Sequence, residues 1–151
     1  MKSYSNKTTC RLLAGVHPGF DRRVQSDNYS TDACKYQEGR TGSFWEADRI
    51  AVEHYFLTLR GEGWPVKLAG AVASRLWDAM QANPTADQIT FVSLANGNRF
   101  ALPTDKLDLS SGFNSGGTVR DALTIDVRHL RARIAGLIEA DAELVGVGDE
   151  A

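Results

Sequence analysis

A chain of 151 residues with 42% hydrophobic content has material for one compact domain or two small units sharing a core. Its formal net charge of −2 argues against a uniformly basic phosphate binder. No apolar run approaches the roughly 18 residues that cross a bilayer. The polar start Met-Lys-Ser-Tyr-Ser-Asn-Lys lacks the apolar stretch of a secretory signal. A cytoplasmic protein with no membrane association is therefore expected, with Cys10 and Cys34 reduced.

In chain order, Thr8 or Thr9 is placed to cap a short helix over Cys10–Ala14, which Gly15 ends. Val16-His17-Pro18 follows, and the fixed φ of Pro18 suits the first turn of a second helix, Gly19 to Ser26. Phe20 and Val24 fall at i and i+4 and make a one-sided apolar contact. Two short helices joined by a tight glycine-containing turn form the helix-turn-helix pattern. Residues 27–43 are polar and rich in turn formers, long enough for a small hairpin or extended wing.

Glu46 opens a strongly helical stretch. Ile50, His54 and Leu57 make one stripe, with Val52, Phe56 and Leu59 beside it, as in the central helix of a small core. Gly61-Glu62-Gly63 breaks it. After Trp64-Pro65 a second long helix runs to about Ala82, with Ala69, Val72, Ala73, Leu76 and Met80 at helical spacing. Gln88–Leu94 and Arg99–Leu102 flank Asn96-Gly97, which predicts a hairpin with a two-residue type I′ turn. Residues 103–118 read as a loop. Leu123, Ile125 and Val127 then alternate as in a strand, and Leu130, Ile134, Leu137 and Ile138 line one face of a closing helix. The expected fold is mainly α with small β elements (α+β), divided into residues 1–82 and 83–151.

Thr8–Gln25 (TTCRLLAGVHPGFDRRVQ) and the stretch from Phe44 to Met80, beginning FWEADRIAVEHYFLTLRGEGWPVKLAGAV, resemble the winged helix-turn-helix of MerR-like DNA-binding proteins. Trp45, Glu46 and Asp48 stand where that family opens its third helix on an aromatic-plus-acidic pattern. Leu59-Arg60-Gly61-Glu62-Gly63-Trp64 matches the end of that helix. The resemblance covers about residues 7–82 and implies a recognition helix, a wing and double-stranded DNA as partner. The long dimerising coiled coil and cysteine-bearing effector loop of metal-sensing members are absent, so metal or drug sensing does not carry over.

The distribution of charge agrees with that implication. Residues 1–43 hold seven Lys/Arg against four Asp/Glu, a balance of +3; the remainder hold ten against fifteen, a balance of −5. DNA binding needs a local basic face, not a basic protein. Arg22 and Arg23 suit guanine edges and Gln25 suits adenine. Gly19, at the start of the second helix, offers backbone N–H groups to phosphate. Lys35 and Arg40 in the wing, and His17 in the turn, are candidates for phosphate or minor-groove contact.

A single helix-turn-helix reads one short half-site, so a homodimer is expected. Ile125, Val127, Leu130, Ile134, Leu137 and Ile138 are the candidate two-fold surface; the alternative is that they close the monomer's own core. Cys10, Cys34, His17 and His54 lack zinc-site spacing, so no metal or other cofactor is expected. Asp105, Asp108, Asp121 and Asp126 have no motif that joins them as catalytic acids, and no phosphate loop or nucleophile elbow is present. The leading expectation is a non-enzymatic, sequence-specific transcriptional regulator. A recombination directionality or architectural factor of a mobile element is the near alternative. An anti-activator that binds a protein through its C-terminal half is the alternative of another class.

Overall fold

The computed structural model describes residues 2–20, 44–108, 113–114 and 117–145. It is an α+β fold: among the described residues, four α-helices accompany small antiparallel sheets. No helix among them is long and apolar enough to cross a membrane. Two compact units divide the chain. One comprises the residues up to Ser74 together with those from Leu130; the other is Arg75–His129. The division expected at residue 82 differs because the C-terminal helix returns to the N-terminal unit.

In the first unit, β1 (Ser3–Ser5) leads into α1 (Asn6–Ala14). Ser5, three and four residues ahead of the threonines expected to cap, is the N-cap, its Oγ accepting from the Thr8 N–H at 3.1 Å. The helix therefore starts earlier than its apolar residues announce. β2 (Phe44–Glu46) pairs antiparallel with β1, Tyr4 opposite Trp45, and runs into α2 (Ala47–Gly61). Ile50, Ala51, Val52, Glu53, His54, Phe56, Leu57 and Leu59 are all buried, so α2 is covered on nearly every side.

α2 ends in a left-handed cap. Gly63 takes φ +94, its N–H bonds to the Arg60 carbonyl, and the Trp64 N–H bonds to the Leu59 carbonyl. Of the Gly61-Glu62-Gly63 breaker only Gly63 carries the conformation that stops the helix. Pro65 then separates α2 from α3 (Val66–Ala82). The C-terminal helix, α4 (Val127–Val145), is tied back at two points by bidentate ion pairs. Arg11 holds Asp141 (2.9 and 3.0 Å) and Arg131 holds Asp48 (3.1 and 3.2 Å).

In the second unit, β3 (Gln88–Leu94), β4 (Arg99–Pro103), β5 (Phe113–Asn114) and β6 (Gly117–Asp126) form a sheet in the order β4-β3-β6-β5. The β3–β4 turn differs from the two-residue type expected. The Gly97 N–H bonds to the Leu94 carbonyl and the Leu94 N–H to the Asn98 carbonyl, making a three-residue loop, Ala95-Asn96-Gly97. Gly97, at φ +90, still supplies the left-handed residue that returns the chain. β6 begins at Gly117, inside the stretch read as loop, and stops at Asp126. Leu123 and Ile125 carry the alternation expected of a strand, but the side chains before them are mostly exposed and give no such pattern; pairing with β3 holds that part in place. Val127, expected in the strand, opens α4 instead; Asp126 Oδ1 caps that helix by accepting the His129 N–H at 2.8 Å.

Thr90, fully buried on β3, joins its neighbours through its hydroxyl, 2.7 Å from Thr104 Oγ1 and 2.9 Å from Thr124 Oγ1. Thr90→Val keeps the shape and removes the shared hydroxyl. A loss of about 1–2 kcal/mol is expected from urea unfolding. An unchanged midpoint would show that the three hydroxyls add no net stability.

Candidate nucleic-acid interface

The N-terminal unit is built to hold the end of α1 and the turn behind it. Leu12 and Leu13 bury one face of α1 while Lys7 stays exposed. Past Ala14 the chain tightens: the Val16 and His17 N–H groups both bond to the Leu13 carbonyl, at 3.0 and 2.7 Å. His17-Pro18-Gly19-Phe20 then forms a β-turn closed by the Phe20 N–H on the His17 carbonyl at 3.2 Å. Proline at its second position and glycine with φ +91 at its third are the type II requirements. Pro18-Gly19 is thus the centre of a turn, and Phe20 behind it is the first helical residue, one later than the Gly19 expected to open the second helix; the imposed φ of proline suits both, and the left-handed glycine decides.

Three side chains seat this turn. Phe20 is buried and meets Trp45 of β2 edge-on, ring centroids 6.5 Å apart. Trp45 Nε1–H donates to Asn6 Oδ1 at 3.1 Å, linking β2 to the first residue of α1. His17 Nε2 lies 2.8 Å from Nδ1 of His54 on α2, one ring nitrogen donating and the other accepting. Burial first, then the neighbouring His17 and the Arg133 guanidinium, lower the His54 pKa to about 4, so this imidazole is neutral near pH 7.

Of the residues singled out for DNA, His17 is half-buried with Nε2 engaged on His54, and Gly19 sits in the turn. Arg22, Arg23, Gln25, Lys35 and Arg40 lie outside the described residues. Of the candidate two-fold surface, Ile125, Val127, Leu130 and Ile134 are buried within the single chain. Only Leu137 and Ile138 remain half-buried, so the apolar stripe closes the chain's own core and leaves little for a partner.

His17 and His54 are brought together, without a cysteine or carboxylate set: among the described residues no group of three potential metal ligands forms. Asp105 and Asp126 do share a feature that sequence alone did not give them. With Asp87, Lys106 and Arg128 they line an open polar cleft of about 780 Å³. The Asp126 carboxylate is committed there to capping α4. Asp121 stands elsewhere on β6, where its hydrogen bond from Arg120, aided by Ser93 and Arg99, lowers its pKa. Neither Asn6 nor Trp45 signals in the sequence the hydrogen bond between them, which the β1–β2 pairing creates. Compared with known protein families, characterised proteins and solved structures, the chain shows no match.

Proposed function

We propose that this protein is a sequence-specific DNA-binding transcriptional regulator of the winged helix-turn-helix type, with its contact surface in the segment that follows the His17–Phe20 turn. The observation that carries this reading is the seating of that turn. A capped helix is followed by a tight turn with Gly19 left-handed, pinned by Phe20 on Trp45 and by His17 on His54, both partners belonging to the buried α2 or the strand before it. The sequence that leaves this seat is Asp21-Arg22-Arg23-Val24-Gln25, which carries the side chains best suited to guanine and adenine edges. A fixed exit is what base reading demands, since a base-reading side chain must meet its edge within hydrogen-bond tolerance. The excess of basic residues before residue 44 adds the phosphate attraction.

Selection of bound fragments from genomic DNA, followed by anisotropy titration across salt concentrations, tests the proposal. Affinity is expected to fall steeply and linearly in log–log form as salt rises. Arg22→Ala with Arg23→Ala is expected to remove the selected-site preference, each arginine contributing about 1–3 kcal/mol. Absence of binding at low salt, or full affinity in the folded double variant, would overturn it.

A further inference from the structure

Beside α4 the N-terminal unit holds a cavity of about 430 Å³, and among the described residues its lining belongs to that unit alone. One face of α4 contributes Ile134, Ala135, Ile138 and Ala142. Tyr4 of β1 and Ala47, the first residue of α2, stand across from them. Ile134 and Tyr4 are 1% and 6% exposed, so the cavity reaches down to the core. Three of these six residues are alanines, where larger side chains would occupy the space. The charged residues at the margin cancel. Arg131 is committed to Asp48 by a bidentate pair, and Lys2 and Glu139 carry opposite signs.

The group that points to a ligand is the Tyr4 hydroxyl. Its ring is packed away, yet the hydroxyl makes no hydrogen bond within the chain and is not among the side-chain atoms sealed from solvent. Tyr4 lines the cavity, so the hydroxyl is left to a partner there; a buried tyrosine ordinarily finds one. We infer that this cavity binds a small uncharged aromatic molecule carrying one hydroxyl or carbonyl oxygen, its rings against the alanines and isoleucines and its oxygen on the Tyr4 hydroxyl. The volume lies in the range of small-molecule sites and suits about two fused rings. The cancelled charges at the margin select no ionic ligand. An alanine-lined helix face is flat and meets the face of a ring, and a rigid ring system loses little freedom on binding. Tyr4 stands opposite Trp45 in the β1–β2 register, which places the ligand on the strand pair that seats the His17–Phe20 turn. The inference does not depend on the DNA-binding reading.

Equilibrium dialysis of the full chain without DNA tests this, with 2-naphthol as the probe and naphthalene, which lacks the hydroxyl, beside it. Binding of 2-naphthol with a dissociation constant in the tens of micromolar is expected. Naphthalene is expected to bind about three- to tenfold more weakly, the worth of one hydrogen bond. Tyr4→Phe keeps the ring and is expected to weaken 2-naphthol by that same factor while leaving naphthalene unchanged. Ala135→Leu, at an exposed helical position where leucine is well accepted, fills the cavity. It is expected to weaken both ligands about tenfold or more, with an unchanged melting temperature. No binding at millimolar 2-naphthol, a Tyr4→Phe variant that binds it like the parent, or full affinity in folded Ala135→Leu would each overturn the proposal.

Discussion

Replacement of Trp45 by alanine is expected to cost about 3–5 kcal/mol, the largest single effect in the N-terminal unit and a large fraction of the roughly 5–15 kcal/mol that holds a domain folded. Trp45 is 2% exposed, so the substitution opens a cavity under the β1–β2 pair. It also removes the edge-on contact to Phe20, worth about 0.5–1.5 kcal/mol beyond area, and the hydrogen bond to Asn6 at the head of α1. Trp45→Phe separates these contributions: it keeps an aromatic ring for Phe20 and removes the donor, and a smaller loss of about 1–2 kcal/mol is expected. Urea unfolding of both variants is the measurement. Equal losses would show that the indole N–H, and not packing, dominates. Negligible losses would show that β2 does not hold the turn. Because Phe20 is the last residue before the proposed reading segment, Trp45→Phe is also expected to weaken site-specific binding less than Trp45→Ala at a temperature where both are folded.

The second large effect is a loss of stability in mild acid. Unfolded, the His54 imidazole takes up its proton near pH 6.5, whereas in the folded chain burial, His17 and Arg133 hold that pKa at about 4. Between these values the unfolded chain binds a proton that the folded chain refuses. The contribution is therefore fully present above about pH 6.5, declines as the pH falls, and is gone by about pH 4. A shift of that size corresponds to roughly 3 kcal/mol as an upper bound. Carboxylates titrate over the same range, so the informative quantity is a difference between proteins. His54→Gln keeps a hydrogen-bonding group near His17 and removes the titration; its stability is expected to fall less between pH 7 and 4.5 than that of the parent. The same fall in both proteins would remove His54 as the cause.

Much of the scaffold was legible in the sequence because it rests on local chemistry. The apolar spacing of Ile50 to Leu59 and of Ala69 to Met80 identified α2 and α3, and Asn96-Gly97 between apolar runs identified the β3–β4 hairpin. The exact turn does not follow, since a type I′ and a three-residue loop use the same Asn-Gly and differ in the closing bond, here Gly97 N–H on the Leu94 carbonyl in place of Asn98 N–H on the Ala95 carbonyl. Ser5 is not legible as the cap of α1, because the cap precedes the apolar pattern and a serine is informative only once the helix start is known. β6 is legible only at its Leu123–Ile125 end, because the residues before it bury too little to alternate and are held by a partner strand distant in sequence.

For the candidate site the division is sharper. Sequence chemistry determined which side chains suit DNA: the basic excess before residue 44, the adjacent Arg22 and Arg23, and the Pro18-Gly19 pair that turns the chain ahead of them. Tertiary structure alone decided what holds that turn, because Phe20 meets Trp45 and His17 meets His54 across gaps in sequence that no periodicity encodes. It likewise decided the fate of the C-terminal stripe. Val127, Leu130 and Ile134 have the same apolar spacing whether they face a second copy or their own core. The spacing fixes a face of the helix; only the folded chain, with Arg11 on Asp141 and Arg131 on Asp48 drawing α4 home, fixes what that face meets.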